Sequence, residues 1–576
     1  MSSPEQLWPL VSDTNRFNRD AGIPAVEQRG VGQNARRRLR LTRLGVPVEW
    51  EEEPFEWMSP RRFSVGRRYT SGPLASMRTT LELTPRDGGG TRLTYDVRVE
   101  PRGLFGRVAS GVEIGFRSRR RFAAVFREYD SLARRPPSVE PARERSTAEF
   151  SRVEAARHAL LAEGQPPELV ERLSRFVVDA DDLAAGRIRP YELADVWGAD
   201  RRAVLELCLL STRHGLLELR WELLCPLCRG TKAAEGSLDA VAGGVHCDTC
   251  LIDVAADFER SVELTFRPTP GVRPVERIEF CVAGPQVTPH VVAQQLLDPG
   301  SDRTLQPRLG PGRYRLRALS GNGALPIVVG ADGAADADAR LDSKGWAADE
   351  LRLARESTLR LENATDEEQL FVLERTAWSD QAATAAEVTA LQVFRDLFAS
   401  EALRPGEPIS VGSLAVVFTD LKDSTRYYRE VGDAPAFGSV LEHLDLLREA
   451  VAAEGGAVVK AMGDAIMAVF STPVGALRAM LAAQRRVAGR PRALKVGIHY
   501  GPCIAVNQNG VLDYFGSTVN LAARLVGLSS GEDVVVSDAI LTDSDVAALD
   551  VDAEPLAASL KGFEDETIPG LWRVRT

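Results

Sequence analysis

Three short segments near the C-terminal end of this 576-residue chain carry residue types that bind metal ions and phosphates. They are residues 418–425 (FTDLKDST), 460–464 (KAMGD) and 513–524 (DYFGSTVNLAAR). In the first two segments, Asp420 and Asp464 each stand at the end of an apolar, strand-like run. Two such carboxylates attract hard divalent ions such as Mg²⁺ or Mn²⁺, which also accept phosphate oxygens and water as ligands. The segments together predict a site for a metal-bound nucleoside triphosphate.

Each aspartate also has a simpler interpretation. Asp464 follows a glycine in a predicted hairpin, where aspartate is a common turn residue. Asp420 precedes a predicted helix and could cap it, although the same helix start could offer backbone N–H groups to phosphates. In the third segment, Asn520 and Arg524 are four residues apart, so both side chains lie on one helix face. The prediction therefore depends on the combination of the segments.

The elements that must position these residues alternate between strand and helix from residue 409 to residue 576. Apolar runs predict a hairpin of strands 457–462 and 465–470 around Gly463 and Asp464. A proline directly after Ser471-Thr472 is typical of a helix start, and predicts a helix over 473–487. Further strands are predicted over 414–419 and 494–500, and further helices over 425–430 and 435–453.

The order of these motifs resembles the class III nucleotidyl cyclase catalytic domain, which has a ferredoxin-like α/β fold. The resemblance implies that Asp420 and Asp464 bind two Mg²⁺ or Mn²⁺ ions per active site. It also implies that Asn520 positions the ribose and that Arg524 contacts the α-phosphate in the transition state. Lys561, within Ser559-Leu-Lys-Gly562, matches the triphosphate-binding lysine of that family.

Lys460 and Asp513 match the base-recognising pair that is typical of adenylate cyclases. A lysine can donate to N1 of adenine and an aspartate can accept from its exocyclic amine, whereas guanine reverses both requirements. The resemblance therefore implies conversion of ATP to 3′,5′-cyclic AMP and pyrophosphate. A guanylate cyclase is the close alternative, and a non-catalytic protein that senses nucleotide is the alternative from another class.

In the resembled family the site forms between two subunits, with the metal-binding aspartates from one and the remaining groups from the other. Because this chain contains both sets, a homodimer with two composite sites is expected. The sequence shows no dedicated general base. His499 lies in a strand pattern, and we interpret it as structural.

Four of the seven cysteines form two CxxC pairs with 18 residues between them. Four thiolates at this spacing can close a tetrahedral zinc site, so a structural Zn²⁺ is predicted. A metal-free turn or a redox pair are the alternatives, but a thioredoxin-like context is missing. The predicted zinc ligands are Cys225, Cys228, Cys247 and Cys250.

Upstream of the cyclase-like part, the sequence predicts several domains. Residues 1–140 show a helix, an antiparallel meander and a long closing helix. This pattern and the segment Leu7-Trp-Pro-Leu-Val-Ser-Asp-Thr14 resemble the START-like, polyketide-cyclase-related fold. That resemblance implies a sensor for a small apolar ligand, while a filled core would make the domain a docking module.

Residues 150–255 have the element order of a winged helix followed by the cysteine pairs. The second helix mixes acids with arginines, which favours a protein contact or a structural role over DNA binding. Short alternating strands over 256–378, among them 261–266, predict a β-sandwich. Residues 379–405 predict a connecting helix that could pair in a dimer. The chain is thus a multidomain α+β protein, and we expect the upstream domains to regulate the cyclase.

The overall composition is that of an ordinary globular protein, with 44% hydrophobic and 26% charged residues. A net charge of -10 argues against non-specific binding of nucleic acid. The first residues lack the pattern of a signal peptide, and apolar runs are too short to span a membrane. The odd number of cysteines and the CxxC pairs suggest a reducing compartment. A cytoplasmic protein without a membrane partner is predicted.

Overall fold

The structure is a computed structural model. It describes residues 2–32, 35–43, 45–103, 107, 118–134, 149–227, 229–241, 245–247, 250, 252–254, 256–258, 261–275, 280–319, 323–376, 381–398, 409–488, 493–508, 511–558, 560 and 570–575.

The first part of the chain consists of two short helices, an antiparallel meander and a closing helix, as the sequence predicts. A capping box at Ser3 starts the first helix, because its hydroxyl accepts from the N–H of Gln6 and the Gln6 side chain bonds back. Phe17 stacks on Phe126 at 5.0 Å and thereby packs the second helix on the closing helix. The elements are α1 (Pro4–Val11), α2 (Thr14–Asp20), β1 (Val26–Val31), β2 (Arg37–Arg43), β3 (Val46–Glu52), β4 (Glu56–Met58), β5 (Arg62–Tyr69), β6 (Leu74–Pro85), β7 (Thr91–Pro101) and α3 (Arg119–Ala133).

The next part is mainly helical and ends in short strands. A three-stranded antiparallel sheet, in the order β12-β8-β9, covers one side of the helices, and β10 and β11 form a separate pair. The elements are α4 (Phe150–Ala162), α5 (Pro167–Asp179), α6 (Asp182–Ala185), α7 (Pro190–Trp197), α8 (Arg201–Arg213), β8 (Leu217–Leu224), β9 (Thr231–Glu235), β10 (Val245–Cys247), β11 (Ile252–Val254) and β12 (Val262–Pro268).

Strand β12 differs from its sequence-based assignment to the β-sandwich. It pairs with β8, with Leu264 opposite Trp221 and Phe266 opposite Leu219. Leu264, Phe266 and Trp221 are fully buried. Because alternation marks a half-buried strand without identifying its partner, the sequence pattern could not distinguish the two sheets.

Seven further strands extend the sheet of the first part. β4 pairs with β13, with Met58 opposite Ala293, and a 14-stranded sheet results. The Trp57 indole N–H reinforces the junction by donating to the Val291 carbonyl at 3.0 Å. These strands are β13 (Val291–Leu297), β14 (Asp302–Leu305), β15 (Gly312–Ala318), β16 (Ala324–Asp342), β17 (Gly345–Trp346), β18 (Leu351–Asn363) and β19 (Gln369–Arg375).

The segment predicted as one connecting helix contains two short helices within its described residues, 381–398. They are α9 (Ala385–Thr389) and α10 (Gln392–Leu397), and the extended backbone of Leu391 separates them. The break lets Phe394 pack edge-on against Trp221 at 5.8 Å, where it is 1% exposed. Burying an aromatic side chain stabilises by roughly 1.5–3 kcal/mol, against roughly 1 kcal/mol net for one backbone hydrogen bond. Docking is therefore favoured over a continuous helix.

The C-terminal part is an eight-stranded sheet with helices on it. The order is β21-β22-β20-β23-β25-β27-β26, and β24 pairs with β23. The predicted hairpin and the helix over 473–487 are confirmed to the residue. The elements are β20 (Ile409–Leu421), α11 (Ser424–Val431), α12 (Asp433–Ala453), β21 (Ala457–Met462), β22 (Ala465–Phe470), α13 (Pro473–Val487), β23 (Leu494–Gln508), β24 (Val511–Phe515), α14 (Ser517–Leu525), β25 (Val534–Ser537), α15 (Asp538–Leu541), α16 (Ser544–Ala547), β26 (Asp552–Pro555) and β27 (Leu571–Arg575).

Both faces of this sheet are buried. Alternation along β20 directs Ala415 and Val417 toward α12 and α13, and Leu414 and Val416 toward the opposite face. That opposite face shares one core with residues 153–272 and the connecting segment. The upstream part of the chain therefore packs directly on the sheet of the C-terminal part.

Helix α8, the second helix of the predicted winged-helix unit, also contacts the C-terminal part. Arg202 donates to the carbonyl of Ala452 at the end of α12 and pairs with Glu206 at 2.8 Å. Arg201 pairs with Asp195, also at 2.8 Å. These arginines thus serve contacts within the chain. None of the described helices combines the length and apolar character needed to cross a membrane.

Candidate active site

The hairpin of β21 and β22 brings the two predicted metal-binding aspartates to one end of the sheet. Gly463, at φ +70°, supplies the left-handed conformation that its turn requires. β20 runs antiparallel to β22, with Phe418 opposite Met467, so Asp420 and Asp464 both lie where the two strands end. The N–H of Ile466 donates to the Thr419 hydroxyl at 3.2 Å and fixes this register.

The two carboxylates repel each other in a partly buried setting. Burial, and next the charge of Asp464, raise the pKa of Asp420, while Lys495 opposes the shift from 4.0 Å. One carboxylate oxygen of Asp464, Oδ2, is buried and finds no donor among the described residues. A buried acceptor without a partner is costly, and a divalent cation would satisfy it while neutralising both acids. The pair therefore has the chemistry of a Mg²⁺ or Mn²⁺ site.

The predicted base-recognising residues form an ion pair. Lys460 Nζ lies 2.6 Å from Asp513 Oδ2, and the two side chains are 39% and 7% exposed. The other oxygen of Asp513 accepts from the N–H of Tyr514 at 2.8 Å. Lysine and aspartate thus present a donor and an acceptor side by side, on β21 and β24.

Helix α14 carries Asn520 and Arg524. The Thr518 hydroxyl donates to the Pro502 carbonyl at 2.7 Å and holds the helix start against β23. Leu521 and Ala522 are buried beneath the helix, whereas Asn520 and Arg524 are exposed on its outer side. Within the described residues, neither of these two side chains contacts the aspartates or the Lys460–Asp513 pair.

Two predicted site residues, Lys561 and Cys228, lie outside the described residues. The other three predicted zinc ligands are brought together. The sulfurs of Cys225, Cys247 and Cys250 lie within 4.8 Å of one another, and all three residues are buried. The N–H of Cys250 donates to Cys247 Sγ at 3.4 Å, and an Arg317 guanidinium nitrogen lies 4.0 Å from Cys250 Sγ. N–H donors and a cation around a sulfur favour its thiolate form, which metal binding requires.

His499 does not take part in this constellation. Its Nδ1 bonds with the Ser537 hydroxyl at 2.6 Å, and burial lowers its pKa to about 4. This contact joins β23 to β25, which agrees with the structural interpretation of the histidine.

Sequence reasoning missed several residues that shape the site. Lys495, opposite Asp420 on β23, stands in the alternating run 494–500, and strand pairing could have revealed it. Gln392 and Arg395 of the connecting segment bond to the backbone beside Lys460 and Asp513. No local pattern indicates these contacts, because they join residues 66 and 117 positions apart.

The first part of the chain, together with Phe280 and Cys281, lines a cavity of about 200 Å³. Aromatic and aliphatic side chains dominate its lining, and the Arg67–Glu52 pair, joined at 2.7 Å, adds a charged element. Drug-sized ligands occupy roughly 300–1,000 Å³, so only a smaller molecule would fit.

Comparison with known proteins gives matches along much of the chain. The family model described as the adenylate and guanylate cyclase catalytic domain matches residues 407–554. A model described as polyketide cyclase / dehydrase and lipid transport matches residues 2–128. A family of unknown function, DUF5939, matches residues 152–280.

Individual relatives match a smaller share. An adenylate cyclase of Lachancea kluyveri is 30% identical over 23% of this chain and 9% of its own length. An uncharacterized protein of Mycobacterium bovis is 33% identical over 22% of this chain and 32% of its own length. The solved adenylyl cyclase CyaB from P. aeruginosa is 19% identical at a TM-score of 0.27, covering 30% of this chain and 96% of that one.

This chain thus spans less than a third of the length of these two curated relatives. Its C-terminal part matches the family model of the adenylate and guanylate cyclase catalytic domain, and its N-terminal part matches the polyketide cyclase / dehydrase and lipid transport model.

Proposed function

We propose that the protein is an adenylate cyclase that converts ATP to 3′,5′-cyclic AMP and pyrophosphate. The observation that carries the proposal is the ion pair of Lys460 and Asp513 in the same sheet as the paired carboxylates. Lys460 would donate to N1 of adenine and Asp513 would accept from its amino group. Guanine presents a donor and an acceptor in the reverse order, so the pair favours ATP.

The remaining residues would act on the ribose and the triphosphate. Asn520 would orient the ribose and Arg524 would contact the α-phosphate, with Lys561 proposed on the triphosphate. The ribose 3′-oxygen forms a bond to the α-phosphorus, the bond to the departing pyrophosphate breaks, and the 3′-hydroxyl proton is lost to solvent. Asp420 and Asp464 would hold two Mg²⁺ or Mn²⁺ ions, which when bound supply positive charge for the phosphates and increase the acidity of the hydroxyl.

Product formation tests the proposal. The full chain is incubated with ATP or GTP and Mn²⁺ or Mg²⁺, and cyclic nucleotides are separated by chromatography. Cyclic AMP formed from ATP in large excess over cyclic GTP from GTP supports it. A preference for GTP would establish the guanylate cyclase alternative. Nucleotide binding without product from either substrate would establish the nucleotide-sensing alternative.

We further propose that the active unit is a homodimer with composite sites. Six of the eight large hydrophobic side chains that are exposed among the described residues lie in the C-terminal part. Exposed apolar side chains of this part of the chain would gain stability by being covered in a subunit interface. They are Val431, Phe437, Leu441, Met462, Val511 and Phe515.

Subunit complementation tests this arrangement. A chain with Asp420→Ala and Asp464→Ala is coexpressed with a chain carrying Asn520→Ala and Arg524→Ala. Composite sites place one intact set of residues in each heterodimer, so activity returns although both parents are inactive. Failure to recover activity in a heterodimer verified by two affinity tags would refute composite sites.

The cysteine cluster is proposed as a structural zinc site with Cys228 as its fourth ligand. The chain purified without chelator should contain one zinc per protomer by mass spectrometry. Cys247→Ser should lose the metal and lower the midpoint of thermal unfolding, whereas Cys208→Ser, a buried cysteine outside the cluster, should retain it. A wild-type protein that contains no bound metal would refute the site.

The N-terminal cavity is proposed to admit a small, largely apolar ligand, through which the upstream part would regulate the cyclase. Native mass spectrometry compares the full chain with its Val97→Phe variant, in which a residue that lines the cavity is enlarged. Loss of a bound small molecule in the variant supports a sensor. If the wild type carries no bound small molecule and its cyclase activity does not change when apolar extracts are added, the domain is a docking module.

A further inference from the structure

The connecting segment (residues 381–398) lies between the upstream part and the eight-stranded sheet of the C-terminal part, and it contacts both. On the upstream side, the N–H of Leu264 donates to the Ala383 carbonyl at 2.8 Å, and Phe394 packs on Trp221. On the other side, α10 contacts the two strands that carry Lys460 and Asp513. This segment lies outside the residues 407–554 that match the cyclase family.

Arg395 holds the strand of Asp513. Its guanidinium donates to the carbonyl of Leu512 at 3.0 Å and lies 5.2 Å above the ring of Tyr514. The Tyr514 hydroxyl in turn bonds with the Thr389 hydroxyl at 3.1 Å. Leu512 and Tyr514 flank Asp513, so both neighbours of this carboxylate are fixed from the connecting segment.

Arg395 does this through backbone and ring contacts rather than through an ion pair. Its Nε donates to the Thr389 carbonyl at 3.0 Å, and no carboxylate lies within ion-pair distance of it among the described residues. A guanidinium bonded to two carbonyls and stacked over an aromatic ring is held in one orientation. Its geometry is therefore suited to fixing a strand.

Gln392 holds the strand of Lys460. Its side-chain oxygen accepts from the N–H of Val458 at 2.8 Å, while its amide nitrogen donates to Asp396 at 2.7 Å. β21 is the edge strand of the sheet, and its register shifts between Val458 and Lys460. One extra residue at such a bulge changes the direction of the following side chain. Gln392 thus bonds to the strand at the point that orients Lys460.

Gln392 and Arg395 are three residues apart on α10, so one helix face reaches both strands. We propose that these two side chains are positioning residues for nucleotide-base recognition. They set the separation between Lys460 and Asp513, and with it the preference for adenine. This inference rests on the proposed function of the Lys460–Asp513 pair.

The test compares five variants of the full chain with the wild type. Arg395→Ala and Gln392→Ala remove the contacts. Arg395→Lys keeps a cation and one donor, so it should retain part of the function. Gln392→Glu combined with Asp396→Asn keeps the oxygen that accepts from Val458 and also a donor–acceptor contact with position 396, so it should likewise retain part of the function. Arg360→Ala, an exposed arginine paired with Asp302 on a different sheet, serves as the control for charge removal.

Steady-state kinetics with ATP and GTP provide the first readout. Each alanine variant should raise KM for ATP by about tenfold and lower the ATP-to-GTP ratio of kcat/KM, with a smaller change in kcat. The milder variants should lose less than the alanine variants, and Arg360→Ala should match the wild type. A fall in kcat alone, with the ratio unchanged, would overturn the inference, because a merely structural role has that effect.

Amide hydrogen exchange over residues 457–462 and 511–515 provides a readout that does not need activity. Arg395→Ala should speed exchange in 511–515 and Gln392→Ala in 457–462, with the rest of the sheet unchanged. If the wild type forms no product from either nucleotide, the proposed function fails, and exchange alone decides whether the segment positions the strands. Unchanged exchange in both alanine variants would overturn the positioning role.

Discussion

Two residues four positions apart on the β21–β22 hairpin have opposite electrostatic surroundings. At Lys460, a cation meets the carboxylate of Asp513 at 2.6 Å, so each group satisfies the other. Four residues further, Asp464 lies near Asp420, whose pKa is raised by burial and by the like charge of Asp464. One pair is complete within a single chain, whereas the other gains stability only with an added cation. A donor and an acceptor side by side, as in Lys460 and Asp513, suit selective hydrogen bonding. Two like charges, as in Asp420 and Asp464, suit metal binding.

The largest effect should come from removing one member of the repelling pair. Asp464→Ala leaves a single carboxylate for the divalent ions, so activity should fall by about 10³-fold or more. Asp550→Ala, which removes an exposed carboxylate elsewhere in the same part of the chain, should remain near wild type. The rate of cyclic AMP production at saturating Mn²⁺ is measured for both variants. Full activity of Asp464→Ala would contradict the assignment of Asp464 as a metal ligand.

Base recognition by the Lys460–Asp513 pair should be separable from catalysis itself. Lys460→Glu combined with Asp513→Cys reverses the donor and acceptor pattern, so the ATP-to-GTP ratio of kcat/KM should fall by about 10²-fold. The double variant should still respond to Mn²⁺, because Asp420 and Asp464 are retained. Competition between the two nucleotides in one reaction measures the ratio. An unchanged preference would show that the base is recognised elsewhere.

A divalent cation should stabilise the Asp420–Asp464 pair and leave the Lys460–Asp513 pair unaffected. At a Mn²⁺ concentration tenfold above its Kd, linkage contributes about 1.4 kcal/mol, or about 3 °C in the unfolding midpoint of a domain of this size. Lys460→Ala should retain this shift and Asp464→Asn should lose it. Differential scanning fluorimetry with and without EDTA gives the comparison. An equal shift in Asp464→Asn would place the cation at another site.

The smallest effect concerns pH in metal-free buffer. Because the pKa of Asp420 is raised in the folded state, the folded carboxyl holds its proton above the unfolded value of 3.8. Stability should therefore fall as pH rises from that value through the higher folded pKa. Asp420→Asn removes this slope and should raise the unfolding midpoint near neutral pH by about 1 °C, because the site is half exposed. A midpoint lowered by Asp420→Asn in EDTA would contradict the repulsion between the acids.

Local patterns predicted the elements that carry these groups. The hairpin and the helix over 473–487 were predictable because their apolar runs are bounded by Gly463 and Pro473, which restrict the backbone within one or two residues. The predicted cysteine grouping likewise depends on a spacing that is visible in the sequence. The side-chain types of Asp420, Asp464, Lys460 and Asp513 identify the chemistry each can perform.

Partners distant in the chain could not be predicted in this way. An alternating strand shows which face is apolar but not which strand it joins, so the pairing of β12 with β8 and of β4 with β13 remained hidden. The break at Leu391 depends on a pocket beside Trp221 that exists only after folding.

The amino-acid types, together with the family resemblance, thus predict a metal-binding pair, a base-recognising pair and the elements beneath them. Folding decides how closely the groups of each pair approach. It also places Gln392 and Arg395 against strands 66 and 117 residues away. The physical reason is range: propensity and turn chemistry act over a few neighbouring residues, whereas packing selects partners across the whole chain.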